Sequence, residues 1–150
     1  KPLIETIKSR ALEIKIILKE KQRLEIINKL VNFYKLDLIL DPKTSQLSPG
    51  NFVKFNFICK EYDISLSNNF VKNLSFLLAL YKKKKDILII NLLFYLADQY
   101  FKYIKDKNLL KNDKIFEIKN YIMDNLNKFI LYNINQNSFI NAVNEKLNHD

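Results

Sequence analysis

Glycine is almost missing from this chain: Gly50 stands alone in 150 residues, beside three prolines, one cysteine, one histidine and no tryptophan. Glycine is what lets a backbone curl tightly around phosphates, so a glycine-rich phosphate cradle within these residues is excluded. One cysteine and one histidine likewise exclude a disulfide framework and a Cys/His zinc site. The unpaired Cys59 suits a reducing compartment, and a cytoplasmic location is expected. Arginine is scarce too, represented by Arg10 and Arg23, so the net charge of +9 rests on lysine. Nucleic-acid surfaces lean on arginine for bidentate and stacking contacts. A chain rich in Lys, Asn and Ile reads instead as the product of an AT-rich genome, part of its charge included. The longest apolar run, Ile87 to Ala97 interrupted by Asn91, falls short of the ~20 residues that span a bilayer, so no membrane is expected as a partner. The opening Lys1-Pro2-Leu3 carries no Met and no signal-peptide pattern, and the chain reads as a soluble piece of something longer.

What is present is 48% hydrophobic and 27% charged, the balance of a folded rather than a disordered chain. Leu12 to Ile16 alternates apolar and polar and runs on into Ile17-Leu18, a strand pattern with no partner strand in view. From Lys19 the period changes, and Leu24, Ile27, Leu30, Val31 and Tyr34 share one helical face. Asp41-Pro42 breaks the chain, and the stretch from Pro42 to Gly50 is its best internal boundary. Beyond it the pattern is helical throughout. Phe52, Phe55, Ile58 and Cys59 form one stripe. Ser67-Asn68-Asn69 offers caps before Phe70, Leu74, Leu77, Leu78 and Tyr81, and Phe76 and Leu80 make that helix apolar nearly all round, which predicts a central position. Asp86 is the expected cap of a helix carrying Ile89, Leu92, Leu93, Leu96, Tyr100 and Ile104. Asn112-Asp113 opens another with Ile115, Ile118, Ile122, Leu126, Phe129 and Ile130 inward. After an interruption at Asn133 to Asn137, a last helix turns Phe139, Ile140, Val143 and Leu147 to the core. Four or five antiparallel helices with short links predict an all-α bundle.

Catalytic patterns are missing. Asp37 and Asp41 read as capping or solvated groups, His149 as a bystander near the terminus, and Cys59 as a small buried hydrophobe. The aromatic residues follow helical spacing and read as core rather than as a base-stacking platform. Lys82, Lys83, Lys84 and Lys85 read as a solvated turn, with a phosphate contact as the alternative.

Three stretches carry a family resemblance. Thr6-Ile7-Lys8-Ser9-Arg10-Ala11, ahead of the alternating segment, resembles the Thr-Ile-x-Ser-Arg-Cys segment of clamp-loader AAA+ ATPase subunits, with Ala11 in place of the family's Cys. Leu47-Ser48-Pro49-Gly50-Asn51 is similar to the Ser-Pro-Gly signature that ends the lid domain in the delta prime group of bacterial DNA polymerase III subunits. Tyr132-Asn133-Ile134-Asn135-Gln136 is similar to an Asn-Leu-Asn/Asp-Arg element of that group, with Gln136 in place of Arg.

The resemblance implies that residues 1–18 are the tail of an ATPase core, 19–50 a remnant of the lid, and 51–150 a helical collar through which loader subunits form a ring. It implies that Arg10, beside Ser9, is an arginine finger reaching a neighbouring subunit's ATP. A guanidinium suits that task because it stays charged as negative charge builds on the transferring phosphoryl group. It further implies no cofactor and no cis active site in this piece. The implied partners are gamma/tau-type and delta-type subunits, with the sliding clamp and primed DNA engaged indirectly. Two other readings stand beside it: a stand-alone basic helical module that binds nucleic acid, and a gamma/tau-like motor subunit.

Overall fold

The computed structural model describes residues 17–64 and 69–148. Those residues are all-α, with six helices and no strand: α1 (Glu20–Tyr34), α2 (Pro49–Glu61), α3 (Phe70–Lys84), α4 (Ile87–Asp106), α5 (Asn112–Tyr132) and α6 (Gln136–Asn148). They divide into two compact units, one up to Asn56 and one from Phe57, so the division falls inside α2. The alternating segment Leu12–Ile16 lies outside the described residues. Ile17 and Leu18, its continuation, are irregular and exposed.

In the first unit the expected apolar face of α1 is only partly inward. Ile27 is fully buried, but Leu24, Leu30 and Val31 are half-buried and Tyr34 is exposed. The place one turn before Ile27 belongs to Arg23, only 7% exposed. A charged group survives there because every part of its fork is used. Its Nε and Nη2 donate to the Glu20 carboxylate at 2.9 and 2.6 Å, Nη2 also to the Pro42 carbonyl at 2.8 Å, and Nη1 to the Leu47 carbonyl at 3.1 Å. The Pro42–Leu47 loop is thereby tied to α1. Asn56 performs the matching task on α2. Its Oδ1 accepts the Ile39 and Leu40 amides at 2.9 and 3.1 Å, while its Nδ2 donates to the Phe52 carbonyl at 2.8 Å. Ile27, Leu40, Phe52, Val53 and Phe55 supply the apolar core of this unit.

The second unit is a four-helix arrangement in which α3 and α5 each pack on both α4 and α6. The links cover only residues 85–86, 107–111 and 133–135, so each helix folds back on the one before it. Two starts are capped as the sequence predicts: Asn69 Oδ1 accepts the Val71 amide and Asp86 Oδ1 the Leu88 amide, both at 2.9 Å. α3 is not the central helix. Phe76 is 44% exposed, and the helix with the longest buried roster is α4, from Ile89 to Ile104. α4 is long and apolar enough to cross a membrane by length and composition alone. Within this unit half of that apolar stretch is buried, which accounts for its composition. Leu77, Leu78, Ile90, Leu92, Leu93, Ile122 and Leu126 are fully buried, and Phe70 stacks on Tyr100 with ring centroids 4.4 Å apart.

The shortage of glycine shows at the helix ends. Lys35, Lys85 and Asn133 close α1, α3 and α5 in the left-handed conformation at φ 49°, 54° and 48°. A glycine fits that role without steric cost. Gly50, by contrast, sits inside α2 with a negative φ, and a Cβ there would touch nothing within 4 Å.

Candidate functional site: the lysine-rimmed end of the four-helix unit

The residues singled out by the sequence do not gather in one place. Arg10 and Ser9 lie outside the described residues, as does His149. Ser48, Pro49 and Gly50 open α2: the Ser48 carbonyl accepts the Phe52 amide at 2.9 Å, its Oγ accepts the Asn51 amide at 3.4 Å, and Pro49 takes the first helical position. Proline is well suited there, since its missing N–H would have no intrahelical acceptor. These three residues make a helix start. Gln136 opens α6, and its Nε2 donates to the Ser75 carbonyl of α3 at 2.9 Å. Asp41 caps a turn, and the Lys43 amide on its Oδ1 at 2.9 Å holds its carboxyl below the usual range.

The lysine run lies at one end of the four-helix unit. Lys82–Lys84 form the last turn of α3, where cations favour the helix dipole, and Lys85 is its left-handed closing residue. Three of the four lie over aromatic rings: Lys82 Nζ is 5.1 Å from the centre of Phe129, Lys84 4.9 Å from Tyr62, and Lys85 5.5 Å from Tyr81. Lys84 also donates to the Tyr62 hydroxyl and pairs with Glu61 at 3.5 Å. The Tyr62 hydrogen bond, then the Glu61 charge, hold the Lys84 ammonium in its charged form, so it is no base or nucleophile. The sequence alone reads this run as a solvated turn. Exposed Lys83 and Lys85 agree with that, but the rings beneath Lys82 and Lys84 were not legible, because Phe129 and Tyr62 come from other parts of the chain.

The last turn of α5 reaches this same end. The Tyr81 and Phe129 ring centres lie 6.3 Å apart, so α3 and α5 close at the same end of the unit. Two and three positions beyond Phe129, Leu131 and Tyr132 are 72% and 74% exposed. Ile87, in the first turn of α4, is exposed as well.

Two open grooves lie elsewhere. One of about 560 Å³ between α3 and α6 is lined by Asn69, Val71, Lys72, Ser75, Phe76 and Asn144 among others, with no carboxylate, imidazole or thiol among its described lining residues. Another of about 450 Å³ lies over Asn108–Lys111 and Lys114. Burial pushes the Cys59 thiol up to about 11, so it stays protonated at neutral pH and reads as the small buried hydrophobe expected. Among the described residues no three His, Cys, Asp or Glu side chains gather to hold a metal. What the lysine-rimmed end offers is binding by charge and apolar contact.

No family model matches the chain, and neither the curated proteins nor the solved structures supply a match.

Proposed function

We propose that the chain is an association module, a delta-prime-like piece of a DNA polymerase III clamp loader that works in the cytoplasm. In this reading residues 19–50 are the lid remnant and 51–150 the collar, and no reaction is catalysed in cis. Arg10, with Ser9 beside it, belongs to the tail of the ATPase core in 1–18 and acts on the ATP of a gamma/tau-type neighbour. A delta-type subunit joins the same ring, and the clamp and primed DNA are met through the assembly.

The observation that carries the reading is the pairing of a well-packed helical unit with large apolar side chains left outside it. Tyr103, Leu109, Phe116, Leu131 and Tyr132 are each more than half exposed. They fall toward the two ends of α5, Tyr103, Leu109 and Phe116 near its start and Leu131 and Tyr132 at its close, and exposed apolar surface marks sites of association. The three resembling stretches, in the family's order, add the loader to that coarser statement. Against the nucleic-acid alternative stands the scarcity of arginine, the residue such surfaces lean on for bidentate and stacking contacts.

The test is to mix the whole chain with gamma/tau-type and delta-type subunits from the same source and follow it by gel filtration. Co-elution that persists in salt supports the reading. A chain that stays apart from both ends the clamp-loader assignment. Oligonucleotide binding by the chain alone, with affinity falling steeply in salt, makes it a nucleic-acid module instead. In a reconstituted loader, Arg10→Ala is expected to leave assembly intact and to cut DNA-stimulated ATP turnover. Arginine fingers acting in trans are worth about 10³–10⁵ in rate, diluted where several sites fire.

A further inference from the structure

We infer that the lysine-rimmed end of the four-helix unit is a docking surface for an acidic amphipathic segment of a partner protein. Three features meet there. The first is charge: Lys82–Lys85 close α3 and Lys128 stands in the last turns of α5. Of the acids nearby, Asp86 caps α4 through the Leu88 amide and Glu61 is paired with Lys84, while Asp63 and Asp124 are exposed, so lysine outnumbers acid here. The second is exposed apolar surface at the same end, Leu131 and Tyr132 in the last turn of α5 and Ile87 in the first turn of α4. Lysines at a helix C-terminus stabilise the helix, but that gives no reason for leaving leucine and tyrosine in water beside them. The third is rigidity. The rings of Phe129, Tyr81 and Tyr62 hold three lysine stems in place, so less side-chain freedom is lost when a partner binds.

Lysines and exposed apolar side chains at one end of a helical unit call for the converse: leucine or phenylalanine on one face of a helix and glutamate or aspartate flanking it. A second copy of this chain does not qualify, because the chain carries +9 overall and would meet like charge with like. Phosphate backbones satisfy the rim but leave Leu131 without a partner. The inference goes beyond the loader reading, and neither depends on the other's partners.

The experiment uses the whole chain and a fluorescein-labelled amphipathic peptide of about five turns, Leu and Phe on one face and Glu on the other. A shuffled peptide of the same composition and an oligothymidine of similar length serve as comparisons, read by anisotropy. The ordered peptide is expected to bind at least roughly tenfold more tightly than the shuffled one. Leu131→Ser with Tyr132→Ser should weaken binding by a similar factor, with circular dichroism unchanged because both residues are exposed. Lys83→Glu with Lys128→Glu should weaken it and remove most of its salt dependence. Phe116→Ser, an exposed apolar change on the first turns of α5, should leave binding as it was. Equal binding of the two peptides overturns the inference. So does tighter binding of the oligothymidine, or indifference to the Leu131/Tyr132 and Lys83/Lys128 changes.

Discussion

The two units of this chain are held together by different means. The first adds to a small apolar core two polar side chains, Arg23 and Asn56, that reach main-chain groups of the segment between α1 and α2. The second relies on apolar helix faces meeting in a closed cycle, with ion pairs such as Lys119–Asp98 at 2.7 Å and Lys146–Glu117 at 3.0 Å on its surface. Exposed pairs of that kind are worth little. The difference teaches where each unit is vulnerable. Losing apolar volume is the main threat to the second, whereas the first is also open to the loss of a hydrogen-bonding head group.

The largest expected effect therefore comes from hollowing the second unit. Leu93 is fully buried, and Leu93→Ala should cost about 3–5 kcal/mol in denaturant unfolding, the transfer of the lost atoms plus the cavity they leave. Next comes the polar tie of the first unit. Arg23→Met keeps much of the stem but removes the donors to Pro42 and Leu47, and should cost that unit about 1.5–3 kcal/mol. Arg23→Lys should recover only part, since an ammonium cannot reproduce the planar fork.

Smaller effects follow from the misplaced glycine. Lys35→Gly relieves a left-handed residue and should gain about 1 kcal/mol. Gly50→Ala fills open space within a helix and should gain about 0.5–1 kcal/mol. A loss at Gly50 would mean that this glycine serves a contact outside the chain.

The smallest effect is on pH. The Arg23 hydrogen bond holds Glu20 below its ordinary value, and Asp41 is lowered chiefly by the Lys43 amide. A carboxyl depressed on folding contributes stability above its unfolded value, and that contribution is lost as pH falls through the folded one. The first unit should thus be level near neutrality and soften below the usual carboxylate range. Arg23→Met should flatten the Glu20 part of that acid response, as thermal melts across acid pH would read out.

Much of the second unit was legible in the sequence, because leucine, isoleucine and phenylalanine recur there at helical spacing. Leu74, Leu77, Leu78, Ile118, Ile122, Leu126 and Val143 are all buried as the spacing predicts, and Asn69 and Asp86 cap where they should. Phe76 misled because apolar type alone does not say which face a neighbour covers. Arg23 and Asn56 were not legible, since each is polar and its burial depends on main-chain groups brought from well beyond its own helical turn. For the same reason the rings beneath Lys82 and Lys84 gave no local signal, so the candidate site emerged from tertiary packing rather than from a motif.

Amide hydrogen exchange on the whole chain, compared with its Arg23→Met variant, tests the two-unit account most directly. The prediction is that protection falls across α1 and residues 36–47 in the variant, while α3 to α6 keep theirs. A uniform loss over both units, or no loss around Pro42 and Leu47, would contradict it.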